Sequence, residues 1–234
     1  MMADSKNKLS ASTIILTLIY LLFFPTALLL LSGDWFWKEG WIFGVWFIVM
    51  CFSTILYLYR KDPELLRERY KKPGDANQKG WDKYVVVGLF IGFIAWIVIM
   101  PLDAKRFQWS GPFPLYLKVL GGSALLLSYF FFYRSYTDNT FLSPLVRIQS
   151  ERKQQVVTNG VYGIVRHPMY LGAILLFIGT PLLLGSCYGM LLGAILSLLL
   201  AFRTLGEEKM MMSELDGYEA YKRKIKYRFI PYIW

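Results

Sequence analysis

A chain of 234 residues that is 56% hydrophobic and 18% aromatic is too apolar for an ordinary soluble domain, where the apolar share stays near roughly one half. The net charge of +10 raises nucleic acid as a partner, but the basic residues sit between apolar blocks rather than on one compact surface, which excludes that reading. Two cysteines and a single histidine exclude a disulfide framework and a closed zinc site.

Six apolar blocks follow in chain order: 11–32, 40–59, 84–101, 114–136, 169–185 and 188–202. Most approach the roughly 20 residues that a helix needs to cross a bilayer. The expected fold is therefore all-α, a polytopic membrane bundle of about six spans. The first block reads as a retained span and not a cleaved signal, being long, interrupted by Pro25 and without a small-residue cleavage site. Ahead of it, "MMADSKNKLS" is polar and reads as a mobile tail. The last two blocks are short, separated by little but Ser186 and Cys187, and read as a tight helical hairpin.

With both termini cytoplasmic, 22 of the 26 basic residues fall in or beside cytoplasmic segments, the exceptions being Lys38, Lys105, Arg106 and Lys118. In the first cytoplasmic segment, "DPELLRER" suits a short interfacial helix with Pro63 in its first turn and Leu65 and Leu66 toward lipid; a solvated connector is the alternative. The outer loops carry tryptophans, and Trp35, Trp37 and Trp41 read as interface anchors. In the fourth block "GGSALLLS" supplies small residues for close helix approach, not a phosphate loop.

The chain divides at residue 137 into an N-terminal four-span region, 1–136, and a C-terminal region, 137–234. In the latter, two polar segments rich in tyrosine and aliphatic residues flank the hairpin and are expected to close a pocket at the cytoplasmic membrane surface. No serine-hydrolase elbow, zinc-protease helix, Walker loop or Rossmann fingerprint is present. What remains is polar chemistry at the hairpin's edge. Arg166, His167 and Tyr170 stand around the start of the fifth block, with Pro168 suited to a first helical position. Arg203 and Glu207, four apart, share a helix face, so Arg203 is either a ligand-binding cation or an anchor paired with Glu207.

"VTNGVYGIVRHPMYLG", a hairpin, "RTLGEEKM" and "YEAYKRKIKYRFIP" together resemble the isoprenylcysteine carboxyl methyltransferase family, which includes phospholipid methyltransferase relatives. The resemblance covers about residues 139–231. It implies an S-adenosyl-L-methionine site capped by the cytoplasmic loop and tail. The implied cofactor residues are Gln149, Gln154, Gln155, Val156, Val157, Tyr162, His167, Pro168, Met169, Tyr170 and Glu207. Arg203 is implied to face the acceptor's carboxylate, so Arg203 and Glu207 are the residues expected to carry catalysis.

The expected activity is methyl transfer to a lipophilic or membrane-proximal acceptor. O-methylation of a carboxylate stands ahead of phospholipid N-methylation or thiol S-methylation, and a NADPH-dependent sterol or enone reductase is the alternative. Such a transfer needs no strong base when the acceptor is already ionised. His167 then reads as a binder.

Overall fold

The computed structural model describes residues 11–234, so the tail expected to be mobile lies outside the described residues. All six apolar blocks are helical: α1 (Ala11–Ser32), α2 (Lys38–Lys61), α4 (Gly80–Pro101), α5 (Leu115–Asp138), α6 (Pro168–Leu184) and α7 (Cys187–Glu214), with short α3 (Pro63–Arg69) and α8 (Tyr218–Lys224) outside them. No strand occurs among the described residues. Among the described residues four helices, α2, α4 with its π-helical extension, α5 and α7, are long and apolar enough to cross a membrane. This is a multi-pass membrane protein, as the hydropathy pattern predicts.

The hairpin is asymmetric. α6 has 17 residues, about 25 Å, whereas α7 has 28, about 42 Å, and runs well past the apolar block that announced it. Gly185 makes the turn in a left-handed conformation (φ +85°), and the Ser186 hydroxyl caps α7 by accepting from Gly189 N at 2.8 Å. Asp103, fully buried at that end, accepts from the hydroxyls of Ser110 and Ser186, each at 2.6 Å.

The tightest helix pair is α5 with α6. A Cβ at Gly121 would lie 2.4 Å from Leu183 N and 2.6 Å from the Gly179 carbonyl, so only glycine lets these backbones meet. Two turns further on, the Ser128 hydroxyl donates to Gly172 O at 2.8 Å. The small residues of "GGSALLLS" thus serve packing. Around this pair the apolar core gathers Leu28, Trp96, Met100, Leu125, Phe177, Leu184 and Leu196.

Two expectations need correction. α3 forms as expected, with Asp62 capping it (Leu65 N to Oδ1, 3.0 Å) and Pro63 at its first turn. Its leucines face protein and not lipid: Leu65 and Leu66 are buried against Leu58, because α3 folds back across the ends of α2 and α5. Of the three tryptophans read as interface anchors, Trp35 and Trp41 are half-exposed, but Trp37 is buried in the core between Leu29 and Gly40.

Candidate active site

A cleft opens at the end of the bundle where α6 begins. Its walls are the loop 139–157, the segment 162–170, the last third of α7 and the face of α8 that carries Tyr218 and Tyr221. The loop has almost no regular structure, yet buried polar side chains pin it. Gln149, fully buried, donates from Nε2 to Phe141 O and accepts on Oε1 from Arg152 at 2.8 Å. Arg147 forks onto Glu68 of α3, Nε and Nη2 each at 2.9 Å from a carboxylate oxygen. Burial alone would raise the Glu68 pKa, but hydrogen bonds from Arg147, Lys71 and Ser143 outweigh it and bring it to about 2.

The "RHPMY" segment is held from both sides. Arg166 N and His167 N donate to the carbonyls of Tyr227 and Arg228, both at 2.9 Å, which docks the C-terminal tail in register. Beneath this pair lies Glu208. Its buried carboxylate accepts from Arg166 Nε at 2.7 Å and from Arg228 Nε at 3.0 Å, and sits 3.3 Å from His167 Nε2. Pro168 then starts α6, as its fixed φ suits.

Tyr170 links two further groups. Its ring lies parallel to the imidazole of His167, centroids 5.6 Å apart. Its hydroxyl donates to Glu207 Oε2 at 2.7 Å and accepts from Arg203 Nη1 at 3.1 Å. The Glu207 carboxylate lines the cleft and has no other hydrogen-bond partner among the described residues. Arg203 is buried behind Tyr170. Its Nε and Nη2 take the two oxygens of Asp82 at 2.7 and 3.2 Å, and Nη2 also donates to Pro144 O. An anchoring arginine was expected to pair with Glu207 on its own helix. Its carboxylate partner comes instead from α4, because Asp82 sits fully buried at that helix's first turn, opposite the guanidinium.

The cleft lining therefore includes Gln154, Gln155, Val156, Val157, Tyr162, His167, Met169, Tyr170 and Glu207. Gln149, Pro168 and Arg203 stand behind it. Sequence reasoning passed over Asp82, Arg147, Glu208 and Tyr218. Only Glu208 had a local signal, as the second half of the Glu-Glu pair. Asp82 reaches Arg203 across 121 positions, with nothing in the local pattern to announce it. The hydroxyls of Tyr162 and Tyr218 are buried at the cleft, that of Tyr162 beside Asn139 and Ser135 and that of Tyr218 without a hydrogen-bond partner among the described residues. Burial raises the pKa of both, so they stay protonated donors at neutral pH.

The family model for phospholipid methyltransferases matches residues 117–217, the stretch that supplies α5, the loop, the hairpin and both glutamates. That stretch is similar to this methyltransferase family. Two curated relatives match part of the chain. The protein-S-isoprenylcysteine O-methyltransferase of Schizosaccharomyces pombe is 34% identical over 85 residues, 36% of either chain. Protein-S-isoprenylcysteine O-methyltransferase B of Arabidopsis thaliana is 34% identical over 92 residues, 39% of this chain and 43% of that one. The matched region thus spans about two-fifths of the curated relatives' length. The fold extends further. A solved structure of the eukaryotic intramembrane Ras methyltransferase, isoprenylcysteine carboxyl methyltransferase, superposes with a TM-score of 0.53 over 92% of this chain and 74% of that chain, at 20% identity. The resemblance carried by "RHPMY" and the Glu-Glu pair thus agrees with what the chain is similar to, and no reductase stands among these relatives.

Proposed function

We propose that the protein is an integral membrane methyltransferase that takes its methyl group from S-adenosyl-L-methionine and places it on a lipophilic acceptor, with a carboxylate favoured over an amine or thiol. The observation that carries this is the convergence, within and beside the family-matched region, of one cleft-facing carboxylate and the buried hydroxyls of Tyr162 and Tyr218. Those groups fit the cofactor: Glu207 suits an ammonium, Tyr162 and Tyr218 offer donors to polar edges, and the parallel His167–Tyr170 pair offers an aromatic face. Gln154, Gln155, Val156, Val157 and Met169 complete the lining, and Gln149 holds the loop that carries them. When bound, S-adenosyl-L-methionine supplies an electrophilic methyl on a sulfonium.

The protein's own contribution is placement and dryness. An ionised carboxylate needs no proton removed, so positioning carries the rate, and well-oriented groups can contribute roughly 7–11 kcal/mol. Arg203 Nη1, the edge shared with Tyr170, is the one left for an acceptor carboxylate, since Asp82 and Pro144 take Nε and Nη2. Asp82 keeps that guanidinium in place when no acceptor is bound. The basic loops assign this end of the bundle to the cytoplasm, both termini included, and the acceptor enters sideways from the bilayer.

The test is direct. Calorimetry in detergent should show binding of S-adenosylhomocysteine and none of NADPH; the reverse result overturns the reading. Incubation with labelled-methyl cofactor and host lipid extract should then give a labelled lipid. Loss of that label in mild base marks an ester, while a base-stable label moves the acceptor to an amine or thiol.

A further inference from the structure

A second hollow lies on another face of the same end of the bundle, between α2, α3 and α5. Its lining is largely apolar: Met50, Cys51, Ile55, Leu58, Leu66 and Phe132, with Thr54 and Tyr136 among them. None of these residues lines the cleft. At its rim Tyr70 and Arg69 close α3.

Arg69 is the anomaly. Its Nη1 is buried with no hydrogen-bond partner, and it forms no ion pair among the described residues. Its guanidinium lies over the Tyr136 ring at 5.4 Å from the centroid. The neighbouring charges are otherwise paired: Glu68 is taken by Arg147 and Lys71, and Asp62 caps α3. A buried, unanswered guanidinium donor beside an apolar trough is costly unless something anionic completes it. The last turn of α2 adds the exposed cations Arg60 and Lys61 at the same end, and no acidic residue lines the hollow.

From this we infer that the hollow is a binding site for an anionic membrane phospholipid, with one acyl chain along Met50, Ile55, Leu58 and Phe132 and the phosphate on Arg69. The complementarity is that of an amphiphile. The trough is apolar along its length, its single unpaired cation sits at one end, and that end is where a headgroup lies when the trough faces hydrocarbon. The site takes no part in methyl transfer, so its test does not depend on the activity proposed above.

The experiment is native mass spectrometry of the full-length protein, delipidated and then offered dioleoyl-phosphatidylglycerol or dioleoyl-phosphatidylcholine, with inorganic phosphate as a separate competitor. The wild type should retain phosphatidylglycerol roughly tenfold better, the scale of one charge-assisted contact. Arg69→Gln should erase that preference while leaving weak retention of both lipids. Ile55→Trp, which fills the trough, should lose both lipids and keep wild-type affinity for S-adenosylhomocysteine. Equal retention of the two lipids by the wild type overturns the inference. So does an unchanged preference in Arg69→Gln, or displacement by millimolar phosphate as effective as by phosphatidylglycerol.

Discussion

Replacing Glu208 by alanine should undock the C-terminal tail while leaving the membrane helices intact. The carboxylate answers Arg166 and Arg228 and lies beside His167, and the Glu208 and Arg166 side chains are only 2% and 3% exposed. Deleting one partner of such a buried pair costs about 3–5 kcal/mol, because the remaining cation is left uncompensated. Arg228 is partly solvated and recovers some of its loss, so the lower end, about 3 kcal/mol, is the expectation. That energy is local. It opposes the two backbone bonds from Arg166 and His167 to the tail and the Arg166 bond to Ile225 O. Hydrogen–deuterium exchange should therefore show the amides of Arg166 and His167 exchanging roughly a hundredfold faster, with helices α4 to α6 unaffected. The neighbouring Glu207→Gln should leave exchange unchanged and weaken S-adenosylhomocysteine at least tenfold. If Glu208→Ala leaves those two amides protected, Glu208 is not the tail's anchor, and the division of labour within the Glu-Glu pair is wrong.

Asp82→Asn keeps the shape of the Arg203 partner and removes its charge; calorimetry should show cofactor affinity within about twofold of wild type, while turnover of the acceptor falls. Equal loss of both would assign Asp82 to the cofactor. Acid should loosen the loop before it unfolds the bundle. Glu68 has its pKa lowered to about 2, so the stability it confers is complete above the ordinary carboxylate value of 4.5 and is lost as pH falls from there toward 2. Proteolysis of the loop 139–157 across that range should show the onset, and Glu68→Gln should flatten it. Gly121→Val would place its Cβ within 2.4 Å of the α6 backbone, and it should lower the thermal midpoint in detergent by several degrees or abolish expression.

Hydropathy was enough for the six apolar helices, because most blocks are long and the turns between them carry their own signals. The boundaries that moved are those set by polar packing. α7 outran its apolar block because the stretch from Arg203 to Glu214 is helical for reasons of tertiary contact, with Arg203 and Glu208 buried on the inner face. Leu65 and Leu66 illustrate the opposite error: a short amphipathic helix looks the same in sequence whether its apolar side meets lipid or protein. At the site, "RHPMY" and the Glu-Glu pair were legible because their residues are close in sequence and restricted in type. The partners that fix the arginines around them, Asp82 for Arg203 across 121 positions and Glu68 for Arg147 across 79, depend on how α3 and α4 pack, which no local pattern encodes.

The shortness of α6 has a consequence for where the proposed methyl transfer takes place. Gly179 abuts Gly121 and Gly172 abuts Ser128–Phe132, so α6, which begins four residues before Gly172, starts level with Arg134, about four residues or 6 Å before α5 ends. On the other side Gly193 touches Phe177, which puts the start of α6 near Arg203 and leaves α7 about ten residues beyond it. The floor of the cleft is therefore sunk between two taller walls, a well that reaches below the rim of the bundle. A reactive headgroup borne on a lipid tail would meet the donor at its own depth in the leaflet and would not be hauled into water. Bilayer thickness then becomes a control: a membrane a few ångströms thicker lifts the headgroup plane away from that floor.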